Sequence, residues 1–257
     1  MMPALFVSHG APTLAIENNE YTKCLQELGK SYPKPKAIVV FSAHWESSIL
    51  SVSVTDEIYE TIYDFMGFPA ELYQIDYRAR GDKQIAEKII GLFGENGLQV
   101  RGNKTRGLDH GVWVILKHMY PEADIPVINI SVSPNLQPKE QYLIGHALQQ
   151  LREDNVLIIG SGGITHNLRE IGWGETEPYQ WSFEFDSWVI DQVLKWDTKS
   201  LFNYEEEAPH AKRAVPRNEH FIPLFMAMGS ADNMKKASII YRGYRYGSLS
   251  MIVFKFH

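Results

Sequence analysis

Short apolar runs rich in Val and Ile recur along the chain, and they constrain its fold more than any other feature. Each run is bounded by Gly, Ser or Pro and has the length and composition of a buried strand. The predicted strands are 4–9, 37–44, 49–54, 125–132, 155–162, 237–243 and 248–256. The last two are joined by YRYG and should form a hairpin, so the sheet is predicted to be mixed rather than purely parallel.

Segments of helical character lie between these strands. In 82–97, Ile85, Ile89 and Leu92 recur at helical spacing and glycines follow, which is a usual end for a helix. Further helices are predicted at 18–30, 138–154 and 181–196. An alternation of strands and helices is typical of an α/β fold, here a mixed central sheet flanked by helices.

No repeat or low-complexity tract divides the chain. The loop at 203–218 carries a run of charges and two prolines, which suits a linker. The tail that follows it is too short to form a domain of its own. A single domain covering residues 1–257 is therefore predicted.

Composition excludes several classes of function. The net charge is −6 and no basic stripe is visible, which argues against a nucleic-acid partner. No apolar run approaches the roughly 20 residues of a membrane-spanning helix. The first residues lack the cationic region and cleavage pattern of a signal peptide. The single cysteine, Cys24, fits a reducing cytoplasm and excludes a thiolate zinc site, so any metal should be held by His, Asp or Glu.

Three histidines lie at the carboxyl ends of predicted strands: His9 and His44 are the last residues of theirs, and His166 follows 155–162 after a glycine-rich turn. Ligands of open α/β sheets bind at the carboxyl ends of strands, so the active site is expected there. A single histidine after a strand is more often a hydrogen-bonded structural residue. The repetition on three strands favours a shared site, although no local signature of the HExxH kind supports a metal.

Two further histidines are predicted near helix starts. In NEHF, Asn218 is a candidate helix cap, which would place Glu219 and His220 in the first turn and let both project. The alternative is that Glu219 only complements the helix dipole and His220 lies on the surface. The same pattern in LDHG makes Asp109 a candidate cap and places His110 in a first turn. The remaining histidines are set aside: His118 is expected to be partly exposed, His146 and His210 are expected on a surface helix and loop, and His257 is the last residue.

The order of these motifs resembles a known family. The segments LFVSHGAP, AIVVFSAHWES, YDFMGFPAELYQIDY, GLDHGVW, YPEADIPVINISV, IGSGGITHNLR, EHFIPLF and GSLSMIVF are similar to those of the class III extradiol ring-cleavage dioxygenases, in particular the 4,5-DOPA dioxygenase type. The resemblance runs through nearly the whole chain. It implies a single α/β catalytic domain that uses O2 to open the ring of a catechol-type aromatic diol, which gives a semialdehyde.

The resemblance also implies roles for the histidines. His9 and His44 match two metal ligands. His166 matches the histidine that acts as acid and base, and in relatives found with zinc this residue can also touch the metal. His110 matches a pocket histidine expected to contact the substrate.

The third metal ligand is expected in NEHF. The wider family uses a glutamate there and the DOPA type a histidine, so His220 is expected, with Glu219 as the alternative or as a partner of the ligand. Phe65 and Phe68, in the loop 63–69, and Trp45 are candidates to pack on an aromatic ring, although a core or loop position is favoured for Phe68.

The ligand set implies Fe(II) as the catalytic ion, because two imidazoles and one further ligand leave open positions for a diol and O2. An all-histidine site also suits Zn(II). Two rival hypotheses use the same cluster: a zinc-dependent hydrolase of a small molecule, and a non-catalytic protein that binds a metal or an aromatic compound. HNLR, after His166, departs from the proline-containing stretch of plant relatives and leaves the natural diol open.

Overall fold

The structure, a computed structural model, describes all residues from 1 to 257. Eight strands form one sheet in the order β4-β3-β5-β2-β6-β1-β8-β7. The strands are β1 Ala4–Ser8, β2 Ala37–Glu46, β3 Leu50–Ser53, β4 Val100–Asn103, β5 Val127–Val132, β6 Val156–Gly162, β7 Ala237–Arg245 and β8 Leu249–Phe256.

Nine α-helices accompany the sheet and pack on its two faces. They are α1 Glu20–Lys30, α2 Lys83–Glu95, α3 His110–Met119, α4 Pro138–His146, α5 Gln180–Lys195, α6 Thr198–Phe202, α7 Tyr204–Glu207, α8 Ala211–Ala214 and α9 Ile222–Gly229. None of them combines the length and the apolar character that crossing a bilayer requires.

The four central strands, β5, β2, β6 and β1, run parallel to one another. They are buried on both faces, which explains why their sequences are continuous apolar runs rather than alternating ones. β8 is antiparallel to β1, and β7 pairs with β8 as the predicted hairpin. The predicted α/β domain with a mixed central sheet is therefore confirmed.

Alternate residues of the central strands contribute to two separate cores. On β2, Val39 and Phe41 pack on one side with α2, α4, α5 and α9. Ile38 and Val40 pack on the other side with α1 and α3. This follows from the two-residue period of a strand, and it makes a three-layer arrangement of helices, sheet and helices.

Three local predictions differ from the structure. β4 was not expected, because only Val100 in its sequence VRGN is apolar; as an edge strand it needs no apolar face. The helix predicted at 138–154 stops at His146 and is followed by a 3-10 turn. The loop at 203–218 contains the short helices α7 and α8.

The predicted helix start in NEHF is also wrong. α9 begins at Ile222, so Glu219 and His220 lie in the preceding turn rather than in the first helical turn. Asn218 does not cap the helix with its side chain, which instead donates to the carbonyl of Pro134 at 3.0 Å. His118 is buried rather than partly exposed, because its Nε2 lies 2.8 Å from the carbonyl of Leu14.

Glycines allow α4 and α9 to cross in close contact. A Cβ at Gly145 would lie 1.9 Å from the carbonyl oxygen of Met226, and a Cβ at Gly229 would lie 2.0 Å from that of Tyr142. Both distances are far below van der Waals contact, and both neighbours are backbone atoms that cannot turn away. The position of α9, and of the turn that precedes it, therefore depends on these two residues.

We expect Gly145→Ala to destabilise the protein by about 1–3 kcal/mol, because the added methyl group forces α4 and α9 apart. Gly91→Ala is the matched control: it lies on the exposed side of α2 with nothing within 4 Å, so alanine should be neutral or stabilise by up to about 1 kcal/mol. Urea unfolding followed by circular dichroism measures both. Equal stability of the two variants would contradict the close crossing.

Candidate metal centre and active site

Five histidines from different parts of the fold meet at the carboxyl edge of the central strands. His9 directly follows β1, and His44 lies near the end of β2. His166 follows β6 after a glycine-rich turn, His110 begins α3, and His220 lies in the turn before α9. Since β2, β6 and β1 are parallel neighbours, the three histidines predicted at strand ends are brought together as expected.

The turn that carries His220 is pressed against the end of β6. The backbone N–H of Gly163 donates to the carbonyl of His220 at 2.8 Å. A Cβ at Gly162 would lie 2.1 Å from that same oxygen, so only glycine fits there. The close approach of His220 thus explains Gly162, and the carbonyl oxygen of Pro223, 2.2 Å from a Cβ at Gly160, explains Gly160 in the same way.

Three Nε2 atoms converge at the centre of the cluster. His44 Nε2 lies 3.0 Å from His9 Nε2 and 3.2 Å from His220 Nε2. His9 and His220 are almost fully buried, at 2 % and 5 % exposed. The ring of His166 stacks on that of His220 with centroids 3.4 Å apart and an angle of 10° between the planes.

The Nδ1 atom of His9 is held by Ser161. The two atoms are 2.9 Å apart, and the Ser161 hydroxyl donates its own hydrogen to the carbonyl of Gly111. Because the hydroxyl has only this one hydrogen to donate, its oxygen must accept from Nδ1–H of His9. His9 therefore presents an unprotonated Nε2 to the cluster.

The other two rings are held by carboxylates. His44 Nδ1 lies 3.1 Å from Asp64 Oδ2, and His220 Nδ1 lies 3.0 Å from Glu219 Oε1. A carboxylate only accepts, so both imidazoles carry their hydrogen on Nδ1 and direct the lone pair of Nε2 inward. The carboxylate of Glu219 is thus occupied with the ring of His220.

The donor set fits a metal ion. Three nitrogen lone pairs that face one another at 3.0 and 3.2 Å repel, and a cation between them removes the repulsion. Neutral imidazole nitrogens suit Zn, Fe and Cu ions. The nitrogens of His9, His44 and His110 lie within 4.8 Å of one another, as do ligand atoms of His166, Glu219 and His220.

Asp64 links two of the histidines and was not singled out in the sequence. Its Oδ2 faces His44, and its Oδ1 accepts from Nδ1 of His110 at 2.9 Å and from the backbone N–H of His110 at 3.0 Å. Burial alone would raise the pKa of Asp64, but the hydrogen bonds from His110 and His44 outweigh it and hold the pKa well below its usual range. The carboxylate therefore stays ionised and fixes both rings.

Burial keeps His9, His110, His166 and His220 neutral. The pKa values of His9 and His220 lie well below the usual range, mainly because of burial and also because of the neighbouring histidines. Burial also lowers the pKa of His110, although Asp64 opposes it. Burial, with His44 and His110 nearby, lowers the pKa of His166 to about 4. At neutral pH these imidazoles can act as ligands or as bases.

A buried network supports the end of β2 below the cluster. Asp109 occupies the cap position of α3 as predicted, but its side chain makes no cap hydrogen bond. It accepts instead from Ser42 Oγ at 2.6 Å and from Arg106 at 3.2 Å. The same Arg106 nitrogen donates to the carbonyl of His44 at 3.0 Å, which holds the backbone of a histidine in the cluster.

The cluster forms the inner end of a cavity of about 340 Å³, a size suited to a small aromatic molecule. Phe65 and Phe68 both line it, and the ring edge of Phe65 meets His110 at a centroid distance of 5.7 Å. Phe68 lies in the loop and packs against the core as favoured, and it lines the cavity as well. Trp45 does not line the cavity: it is buried, with the guanidinium of Arg106 5.6 Å from its ring centre.

Comparison with known proteins identifies the family of the chain. The family model described as the catalytic LigB subunit of aromatic ring-opening dioxygenase matches residues 3–254. A protein of Beta vulgaris named 4,5-DOPA dioxygenase extradiol is 43% identical over 98% of this chain and 95% of its own length. A protein of Escherichia coli K12 with the same name is 36% identical over 98% of this chain and 93% of its own.

The fold is shared as well. The crystal structure of an uncharacterized protein from Escherichia coli K12 superposes with a TM-score of 0.84 at 32% identity, and the match covers 100% of both chains. The motifs, the sheet and the comparisons thus agree over the whole chain. The chain belongs to the LigB family of extradiol, aromatic ring-opening dioxygenases.

Proposed function

We propose that this protein is a non-haem Fe(II)-dependent dioxygenase that opens the ring of a catechol-type diol next to the two hydroxyl groups. Both atoms of O2 enter the semialdehyde product, and all the electrons come from the diol, so no external reductant is consumed. The observation that carries the proposal is the set of three inward-facing Nε2 atoms 3.0 and 3.2 Å apart at the inner end of an aromatic-lined cavity.

In this proposal His9, His44 and His220 hold the metal, and Glu219 orients His220 rather than acting as a ligand. Bound Fe(II) supplies open positions for a diol and O2 and lowers the pKa of a phenol. Zn(II) fits the same three nitrogens, so purified protein can carry zinc without zinc being the catalytic ion.

His166 and His110 handle protons in the cavity. His110 donates Nδ1–H to Asp64, so its Nε2 is an acceptor for a hydroxyl of the diol. His166 is neutral at pH 7, because burial and the neighbouring His44 and His110 lower its pKa to about 4. It lies against the ring of His220, where it can take the proton that the diol loses and return it later in the reaction.

The proposal extends to the whole chain. Residues 1–257 act as one catalytic domain, since the histidines of the site converge at one edge of a single sheet. Cytoplasmic location is proposed because the only cysteine, Cys24, is free. The partners are a small aromatic diol and O2.

The direct test is oxygen consumption by protein reconstituted with Fe²⁺ without air and then mixed with O2 and a catechol. One O2 per catechol and a yellow product are expected. His166→Ala should lower kcat by about 10²- to 10⁴-fold while it retains the metal, because it removes the base. Protein loaded with Zn²⁺ is the control. No oxygen uptake by the Fe²⁺ form would contradict the proposal, and turnover by the Zn²⁺ form without O2 would favour a hydrolase.

Metal content separates the two candidates for the third ligand. His220→Ala should lose most of its Fe²⁺ or Zn²⁺, whereas Glu219→Gln should bind about 10- to 100-fold more weakly, because the charge-assisted hydrogen bond that orients His220 becomes a weaker neutral one but the ligand remains. Mass-spectrometric metal analysis after dialysis gives the answer. His146→Ala, on a half-exposed helix end, is the control and should bind as wild type. If Glu219→Gln lost all of its metal while His220→Ala retained it, Glu219 rather than His220 would be the third ligand.

Asp64→Asn tests the link between His44 and His110. An amide offers one acceptor oxygen, so it cannot accept from both Nδ1 atoms, and one ring must turn or shift its hydrogen. We expect kcat to fall about 10- to 100-fold with a folded protein. Asp76→Asn is the matched control, because this carboxylate is near in sequence but exposed and contacts only Thr61 and Arg78. Steady-state kinetics that show equal kcat for both variants would contradict the role of Asp64.

A further inference from the structure

Tyr246 lies in the wall of the active-site cavity, and the metal site does not explain its presence there. It lines the same cavity as the five histidines, and its ring packs on that of Trp173, which is 71% exposed and lies at the mouth. Residues 246–248 connect β7 to β8. The hairpin therefore brings a polar side chain to the outer part of the cavity.

The backbone of Tyr246 has an unfavourable conformation for a large side chain. Its φ angle is +54°, and that of the following Gly247 is +68°. Glycine, asparagine and aspartate adopt this left-handed region readily, whereas a bulky residue there is an outlier. Residues in such conformations concentrate at active sites and ligand contacts. Asparagine would suit the turn better, so the tyrosine side chain is expected to serve the cavity rather than the turn.

Neighbouring residues hold Tyr246 through both its backbone and its ring. The carbonyl of Tyr246 accepts from the N–H groups of Gly172 at 3.0 Å and Ser248 at 2.7 Å. The ring centroid lies 4.9 Å from that of Trp173 and 5.0 Å from the guanidinium of Arg245. The hydroxyl group is therefore fixed before a ligand binds, which reduces the conformational entropy lost on binding.

Arg245 determines what the hydroxyl group of Tyr246 can do. One guanidinium nitrogen of Arg245 is bound to Glu17, and another donates to the hydroxyl oxygen of Tyr246 at 3.3 Å. A guanidinium only donates, so the hydroxyl accepts there and its own hydrogen is free to donate elsewhere. A hydroxyl that already accepts from a cation is polarised and donates more strongly. Tyr246 therefore offers a fixed hydrogen-bond donor to a ligand in the cavity.

From this arrangement we infer that Tyr246 binds a carboxylate on the side chain of the diol substrate and thereby determines which catechols the enzyme prefers. This inference rests on the proposed function, because it places the diol at the histidines and its substituent at Tyr246. A carboxylate accepts the free hydrogen in a charge-assisted bond, whereas an ammonium group has no lone pair to accept it. The substrate class is a catechol with an acidic side chain, which includes catechols with an amino-acid side chain.

Four diols isolate the contribution of the carboxylate. L-DOPA carries a carboxylate and an ammonium group, dopamine only the ammonium group, 3-(3,4-dihydroxyphenyl)propanoate only the carboxylate, and catechol neither. Tyr246→Phe removes the hydroxyl but keeps the ring against Trp173. We expect it to lower kcat/KM of the Fe²⁺ enzyme about 10- to 100-fold for the two carboxylates, mainly through KM. The kcat/KM values for dopamine and catechol should stay within about 2-fold of wild type, because neither diol offers an acceptor to the lost hydroxyl.

Binding without turnover provides a second readout. Calorimetric titration of the Zn²⁺ form without O2 should show the same loss of affinity for the two carboxylates and none for dopamine. Tyr241→Phe is the matched control, because Tyr241 lies on the same hairpin but outside the cavity lining, where its ring packs on Tyr21 with centroids 4.9 Å apart. This variant should treat all four diols as wild type does.

The outcomes separate this inference from the proposed function. If the wild-type enzyme cleaves these diols and Tyr246→Phe affects all four equally, or none of them, the inference alone is overturned. If the wild-type Fe²⁺ form cleaves none of the four, the proposed function is overturned and the inference with it.

Discussion

The site depends on one kind of hydrogen bond, the one that each inward-facing histidine makes through Nδ1. Ser161 holds His9 in this way, Asp64 holds His44, and a neighbouring carboxylate holds His220. Each bond selects the tautomer with a free Nε2 and fixes the plane of the ring. Without these partners the same histidines could turn or protonate, and no set of converging nitrogens would exist.

The sheet makes those bonds possible. Parallel strands end at one edge, so β1, β2 and β6 deliver His9 and His44 together with Ser161 to the same place. The remaining partners come from outside the sheet: a loop supplies Asp64, and the turn before α9 supplies His220. The sheet thus sets the positions of His9, His44 and Ser161, and a loop supplies the carboxylate of Asp64 that fixes the ring of His44.

Burial and charge work together around this edge. Desolvation lowers the pKa of His9, His166 and His220 and keeps the rings neutral, as a ligand or a base requires. Asp64 stays ionised in the same surroundings only because two imidazoles donate to it. The outer part of the cavity, at Leu168, Ile171 and Trp173, is apolar instead.

The sequence by itself determined the layer architecture and most of the site. Apolar runs and helical spacing predicted the central strands, the hairpin and the main helices, because burial on both faces imposes that pattern. The histidines at strand ends predicted that the active site lies at the carboxyl edge of the sheet. The motif resemblance predicted the family. β4 was not predicted, because this edge strand contains only one apolar residue, Val100.

Only the tertiary structure decided the partners of the histidines. Asp64 and Ser161 lie far in sequence from the rings they hold, and no local pattern links a hydrogen-bond donor to a distant acceptor. The start of α9 was likewise missed, because the side chain of Asn218 binds the carbonyl of the distant Pro134 instead of capping a helix. Long-range packing set these details, whereas local periodicity and burial had already set the fold.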